Sequence, residues 1–321
     1  MSVLSVVVPV RNEAENIPKL VARLTPVLEG ISNEHEIIFA TDLNRDNTLE
    51  VLRSQHRSDP RVKTLKLANA FGHHVAVLAG LAVSKGDAVV VMDGDLQDYP
   101  EDIPLLYAEL REGHEVVYGV KERKNESALR NLFSRIMVRL MNTLSDYDVD
   151  FNTSMFRIMS RRAVDELCRF RERDPSITGL VSVIGLPTTK VLVTSGARHA
   201  GRTNYSYLRQ VNFAIGFLLS FSTKPLRLIS MLGLAISMLA LVYFLVVVIQ
   251  RLAFGTPVQG WPTVVGLMSL LGGVQLLALG VTGEYVARIF LEVKRRPLYV
   301  VEEQIGELGS AGEGLPHSSP M

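Results

Sequence analysis

Short apolar, β-branched runs alternate with amphipathic stretches over the first 120 positions. LSVVVP (4–9), EIIFA (36–40), VKTLKL (62–67), AVVVM (88–92) and EVVYGV (115–120) predict strands. Between them, 16–29, 48–56, 73–84 and 101–112 carry helical spacing, as does 127–144 further on. Strands alternating with helices predict an α/β domain, a parallel sheet covered on both faces. Ligands of such sheets collect at the carboxyl ends of the strands.

The pattern changes near position 228. Leu228 to Gln250 is 23 residues without a charge, and Leu252 to Gly283 is 32 more. A bilayer core takes about 20 apolar residues per helix. Spans are therefore expected at about 228–249 and 263–282, because Gly255, Pro257, Gly260 and Pro262 break the start of the second run. Lys224 and Arg227 precede the first span, and Arg288, Lys294, Arg295 and Arg296 follow the second. Only Arg251 lies between them. Positive charge stays inside, so the first 225 residues, with the α/β domain over 1–204, and both termini are expected on the cytoplasmic face of the cell membrane. Tyr205, Leu208, Val211, Ile215, Leu218, Leu219 and Phe221 recur at helical spacing, predicting an amphipathic helix over 205–226 that lies in the interface or packs on the domain. Trp261 is expected at the far interface, and Glu284 with Arg288 as an i,i+4 pair at the membrane surface. Residues 284–304 are a return segment, and 305–321, rich in Gly, Ser and Pro, read as a disordered tail.

Composition narrows the function. The 321 residues carry 34 Lys and Arg against 33 Asp and Glu, too even a balance for nucleic acid as the main partner. Cys168 is the single cysteine, which excludes an internal disulfide and a cysteine-built metal site and suits a reducing compartment. The opening MSVLSVVVPV lacks the basic segment of a signal peptide. No G-x-G-x-x-G or G-x-x-x-x-G-K-[ST] follows a strand, which removes the main support for dinucleotide enzymes and P-loop NTPases. The sharpest chemistry follows the fourth strand, in Asp93-Gly94-Asp95-Leu96-Gln97-Asp98. Two carboxylates flanking one glycine can turn toward one hard cation and leave its other positions to substrate phosphate oxygens. An acidic turn capping the next helix is the competing explanation.

VVVPVRNEAENI (6–17), the acidic turn after the second strand, NAFGHHVAVLAGL (69–81) and DGDLQDYPEDIP (93–104) together resemble the family 2 glycosyltransferases of GT-A type, which have a Rossmann-like, mostly parallel sheet. RHAGRTNYSYLR (198–209), STKPLR (222–227) and 272–302 are similar to the polyprenyl-phosphate glycosyltransferases with a two-span membrane hairpin. These include bactoprenol glucosyltransferases, dolichol-phosphate mannose synthases and the undecaprenyl-phosphate aminoarabinose transferase. The resemblance covers about residues 3–303. It implies inverting transfer of a sugar from a nucleotide-sugar to a polyprenyl phosphate, with Mg²⁺ or Mn²⁺ as cofactor. Glucose is the first expectation for the sugar and undecaprenyl phosphate for the acceptor, with UDP favoured over GDP and a homo-oligomer such as a tetramer among the family's assemblies.

Carried over by position, the resemblance assigns nucleotide-sugar contacts to Pro9, Asn12, Glu13, Asp42, Asp46, Asn69 and Asp93. It assigns the metal to Asp93 and Asp95, and catalysis to Asp93, Asp95 and Gln97, the last beside the sugar. Lys121, Arg130, Ser134, Arg157, Arg198 and Arg202 are candidates to grip the acceptor phosphate; Arg157 is equally placed to hold the domain. Arg130 and Ser134 share one helix face, where a guanidinium fork and a hydroxyl can meet one phosphate. Adjacent His73 and His74 point about 100° apart on a helix and are expected to cap or support, not chelate together.

The chain departs from the pattern in three places. The acidic turn, Thr41 to Thr48, lacks one carboxylate and has Leu43 where Gly is usual. Asn69 stands for the usual Arg, and Asn204 for the usual Lys. These changes leave two alternatives beside the glucosyl reaction: the same transfer with aminoarabinose or mannose, or a weakened enzyme kept as a membrane scaffold.

Overall fold

The computed structural model describes residues 3–121, 138–139, 141–147, 153–173, 175–194, 216, 220, 222–254 and 260–309. They fall into two units. One takes in Met1–Ile136, Asp148–Ser206 and Arg296–Met321, the other Met137–Tyr147 and Tyr207–Arg295.

In the first unit, strands β1 (Leu4–Val10), β2 (His35–Thr41), β3 (Val62–Leu67), β4 (Ala88–Val91), β5 (Val116–Lys121), β6 (Arg157–Ser160), β7 (Thr188–Val193) and β8 (Val301–Ile305) form one sheet in the order β7-β5-β6-β4-β1-β2-β3-β8. β1 to β4 run parallel, and β5 runs parallel to β7. Helices α1 (Ile17–Ile31), α2 (Thr48–Ser58), α3 (His73–Val83), α4 (Ile103–Arg111), α5 (Arg161–Cys168) and α6 (Ile177–Ile184) accompany the strands.

β1 lies near the middle and all seven of its residues are buried. Because side chains alternate along a strand, Leu4, Val6, Val8 and Val10 join Leu20, Leu24 and Leu28 of α1 and Ile103 and Leu106 of α4 in one core. Val7 points the other way, toward α3. There Gly80 comes so close that a Cβ in its place would lie 2.5 Å from Val7 Cγ1. This approach explains why α3 is apolar almost all round: Val75 to Leu81 are all buried.

The sheet is mostly parallel, not wholly so. β6 runs antiparallel between β4 and β5, and β8 antiparallel along β3. Both are short, and neither carries the apolar run that marks the central strands. β8 lies inside the expected return segment. Its side chains reach back to the sheet and to α2, Lys66 Nζ to Glu302 Oε1 at 2.6 Å and Arg53 Nη2 to both Glu303 oxygens at 2.8 Å. The boundary expected at 305 therefore moves: Ile305 completes β8, and Gly309 N donates to Val83 O at 2.8 Å. Residues 310–321 lie outside the described residues.

In the second unit, α7 (Lys224–Phe254) and α8 (Trp261–Val293) are 31 and 33 residues long. At 1.5 Å per residue each exceeds about 45 Å, more than a bilayer core requires. Both contain stretches long and apolar enough to cross a membrane, Lys224–Gln250 and Gly266–Val293. Both outrun the expected spans, since the backbone ladder does not stop where charges begin. α7 also absorbs the last residues of the expected 205–226 helix, whose stretch 205–215 lies outside the described residues. The STKPLR segment acts as a staple. Lys224 Nζ donates to the carbonyls of Thr143 and Ser145, Thr223 N to Asp146 Oδ2 at 3.1 Å, and Tyr285 OH to Ser222 O at 2.8 Å. Glu284 Oε1 lies 3.6 Å from Arg288 Nε.

The base of the sheet holds a buried carboxylate that can be tested. Glu36 accepts from Ser5 Oγ (2.6 Å), Lys63 Nζ (2.7 Å) and the Lys85 amide (2.7 Å). Burial alone would raise its pKa; the Lys63, Ser5 and Lys85 bonds outweigh burial and lower it. A lowered folded-state value means that the carboxylate stabilises the fold fully above the ordinary carboxylate range and loses that effect as pH falls through it. Glu36→Gln is expected to cost about 2 kcal/mol at pH 7. Thermal melts in detergent should show the difference from the parent chain shrinking as pH drops to the carboxylate range.

Candidate active site

Three loops meet at the carboxyl ends of β1, β2 and β4. The loop after β1 is tied to the one after β2 through side chains that substitute for backbone pairing. Asn12 N donates to Asn44 Oδ1 (2.9 Å), and Arg45 N donates back to Asn12 Oδ1 (2.7 Å). Asn12 adopts φ +58°, which asparagine tolerates better than most residues. Glu13 N donates to Thr48 Oγ1 at 2.9 Å and Ala14 N to Asp46 Oδ2 at 3.3 Å. Asp46 also accepts from Thr48 N (3.1 Å) and Thr48 Oγ1 (2.7 Å); desolvation raises its pKa, and these bonds together with that from Ala14 outweigh it and lower the value. Asn12 and Asp46 are thus engaged in loop architecture. Leu43 does not need the glycine of the usual turn: among the described residues only Asn12, Leu96 and Arg295 are non-glycines with positive φ.

Asp42 differs from Asp46. It is buried, and its Oδ1 accepts no hydrogen bond, lying 3.5 Å from Arg11 Nε. Burial raises its pKa against the pull of Arg11. A buried acceptor without a donor suits the N–H or hydroxyl of a ligand. Pro9 is buried in β1 beside Ala40 of β2, whereas Asn69 is exposed and accepts from the Ala70 amide at 2.8 Å.

The Asp-Gly-Asp turn is pressed against β1. A Cβ at Gly94 would sit 2.7 Å from Val10 Cγ1, so the turn reaches this position because residue 94 has no side chain. Leu96 is buried at φ +64°, a costly conformation for leucine held by the surrounding fold. Gln97 donates to Asp95 through its backbone (to Oδ1, 3.1 Å) and its side chain (to Oδ2, 2.5 Å). Asp98, almost wholly buried, accepts from Asp93 N at 3.2 Å and from Lys121 Nζ at 2.7 Å. Asp93 Oδ1 has no hydrogen-bond donor. The imidazole Nε2 of His73, at the start of α3, lies 3.5 Å from it, and burial followed by the charge of Arg157 lowers the pKa of that histidine. Burial, then the charges of Asp98 and Asp95, push the Asp93 carboxyl up to about 7. Glu13 belongs to the same field: burial, opposed by the Asn16 amide and reinforced by Asp95 and Asp46, raises it.

Arg157 is fully buried and does not present itself to an acceptor phosphate. Nη2 donates to Ser154 O (2.8 Å) and Thr178 Oγ1 (3.2 Å), Nε to Met155 O (3.2 Å), and the guanidinium lies 4.8 Å from the centre of the Tyr118 ring. Burial lowers its pKa, while Tyr118 and Asp93 oppose the shift. Its hydrogen bonds are those of the domain-holding alternative, while Nη1 is buried without a hydrogen-bond partner; the guanidinium charge lowers the pKa of Asp93 as a countercharge and that of His73 as a like charge. Lys121 is partly exposed but engaged by Asp98. Arg130, Ser134, Arg198 and Arg202 lie outside the described residues. Two neighbours of Asp93 are absent from the sequence-derived site, Asp98 and His73. Asp98 is visible as a third carboxylate in the motif, and His73 as the first helical residue past the end of β3.

The residues suit a divalent cation that takes most of its ligands from substrate. Among the described residues no group of three or more His, Cys, Asp or Glu side chains could hold one alone. Asp93 and Asp95 supply two carboxylates, one with a buried oxygen that has no donor, in a field of like charge that a cation would relieve.

Comparison with known proteins agrees with this geometry. The model of glycosyl transferase family 2 matches residues 5–168. Over 303 residues, covering 94% of each chain, the sequence is 37% identical to the uncharacterized glycosyltransferase YkcC of Bacillus subtilis. It is 35% identical over 301 residues to the SfII prophage-derived bactoprenol glucosyl transferase of Shigella flexneri, covering 94% of this chain and 97% of the relative. It is 33% identical over 300 residues to a prophage bactoprenol glucosyl transferase homolog of Escherichia coli, with 93% and 98% covered. A GT-A sheet with an Asp-Gly-Asp turn at its strand ends, matched along nearly the whole length of such relatives, belongs to a glycosyltransferase of family 2.

Proposed function

We propose that the protein transfers a sugar, glucose in the first instance, from UDP to the phosphate of undecaprenyl phosphate at the cytoplasmic face of the cell membrane. The observation that carries this is the Asp93–Asp95 pair at the end of β4, in a chain that continues into two membrane-length apolar helices. The names of the bactoprenol relatives support the lipid acceptor and the glucosyl donor. The orientation rests on Lys224, Arg227, Arg288 and Lys294 to Arg296 flanking the helices, with Arg251 alone between them.

An acceptor phosphate oxygen bonds to the anomeric carbon from the side opposite the diphosphate. The bond from that carbon to the diphosphate oxygen breaks, and its electron pair leaves with UDP, so configuration inverts. A phosphomonoester has a second pKa near 6 and is mostly dianionic at neutral pH, so no side chain need remove a proton. Asp93 and Asp95 would hold Mg²⁺ or Mn²⁺, which offsets the charge of the leaving diphosphate. The protein's task is placement. Asp42 offers its free acceptor to base or ribose, Gln97 fixes Asp95, and Lys121 stands at the end of β5 for the incoming phosphate, with Arg130, Ser134, Arg198 and Arg202 as its proposed companions. The scaffold alternative loses its chief support, since the acidic turn closes through Asn12, Asn44 and Asp46 without the missing glycine.

The test is transfer from labelled UDP- and GDP-sugars to undecaprenyl phosphate by the detergent-purified chain with Mg²⁺ or Mn²⁺. UDP-glucose should react, and Asp95→Ala should lower the rate by about a hundredfold or more. No transfer from any donor, with no metal-dependent nucleotide binding, contradicts the proposal. Gly94→Ala probes placement alone, because it forces the turn away from Val10 while leaving every charge in place. We expect its transfer rate to fall on the order of a hundredfold, with melting temperature moving only a few degrees.

A further inference from the structure

Asp98 is a carboxylate that neither the metal pair nor the nucleotide contacts account for. It is 2% exposed, and its two bonds go to different places: Oδ2 accepts the amide of Asp93, and Oδ1 accepts the ammonium of Lys121. The first closes the turn from 93 to 98 and confines Leu96 to its left-handed conformation. The second reaches across the sheet, since Lys121 ends β5 and β6 lies between β5 and β4. The far side of the turn has its own anchors. Arg23 makes a bidentate pair with Glu101 and covers the Tyr99 ring, and Asp102 accepts from Thr194 N at 2.7 Å. The exit of the turn is therefore held without Asp98.

A neutral acceptor would still satisfy the Asp93 amide, through a weaker bond. The charge on Asp98 is needed only for Lys121. Asp98 joins the Lys121 ammonium to Asp93, Oδ1 to the one and Oδ2 to the amide of the other, so without the charge on Asp98 the ammonium is left one residue's width from the Asp93 carboxylate on which it already acts. We infer that Asp98 is a positioning residue for the Asp93–Asp95 pair: it holds Asp93 through its amide and keeps the Lys121 ammonium from taking the place of the cation. This rests on Asp93 and Asp95 being the cation and diphosphate site.

The experiment is binding of Mn²⁺ and UDP to the full-length chain in detergent, by calorimetry, with melting temperature recorded alongside. Asp98→Asn keeps an oxygen for the Asp93 amide and removes the charge. It should weaken Mn²⁺–UDP binding about tenfold, the scale seen when a supporting partner of a metal ligand is lost. Adding Lys121→Met should restore affinity toward that of the parent chain, because the competing ammonium is gone. A purely structural Asp98 would lower the melting temperature and leave the dissociation constant of the folded protein unchanged. That result overturns the inference, and so does weakening that the second substitution does not relieve. Failure of the parent chain itself to bind Mn²⁺–UDP would instead refute the metal-site reading.

Discussion

Everything at this site depends on how closely the turn after β4 lies against the end of β1. That contact exists because Gly94 leaves room for the Val10 side chain, and it brings the Asp93 and Asp95 backbone to the loop that carries Glu13. Four carboxylates then share a small volume: Glu13, Asp93, Asp95 and Asp98. The surroundings answer with charge from behind, through buried Arg157, and from the side, through Lys121. The balance is incomplete. Asp93 retains a buried oxygen without a donor and a carboxyl raised to about 7, a strain that the proposed cation would relieve.

Much of this was legible in the residues. Each of the five predicted strands lies within about one residue of its place in the structure: β1, β2 and β4 are buried throughout and read as largely apolar runs, while β3 shows the alternation of VKTLKL. The Asp-x-Asp pair was legible because it follows such a run directly. β6 and β8 were not. Four or five residues with an Arg or two Glu among them give no period to detect, and they become strands through pairing with β4, β5 and β3. Arg157 was open between holding the domain and holding the phosphate, and its burial appears only once its strand is seen to lie inside the sheet. His73 was seen as a capping residue. Its approach to Asp93 depends on β3 and β4 lying on opposite sides of the β1–β2 pair, which local sequence does not encode.

After α8 the chain returns to the sheet of the first unit. Past Arg296 the backbone joins the edge of the sheet, where Ala68 N donates to Val300 O at 2.8 Å and Lys66 and Arg53 hold the two glutamates of β8. β8 also covers an edge that would otherwise expose unpaired backbone groups along β3. The strand it covers leads straight into Asn69 to Gly72 and then His73.

The central claim is that Asp93 and Asp95 hold a divalent cation together with a nucleoside diphosphate. Crystals grown with Mn²⁺ and UDP, measured at a wavelength where manganese scatters anomalously, test it most directly. The account predicts one anomalous peak between the two carboxylates, in contact with diphosphate oxygens and abolished in Asp95→Ala. UDP bound at the strand ends with no manganese at Asp93 and Asp95, or manganese held elsewhere on the chain, would contradict it.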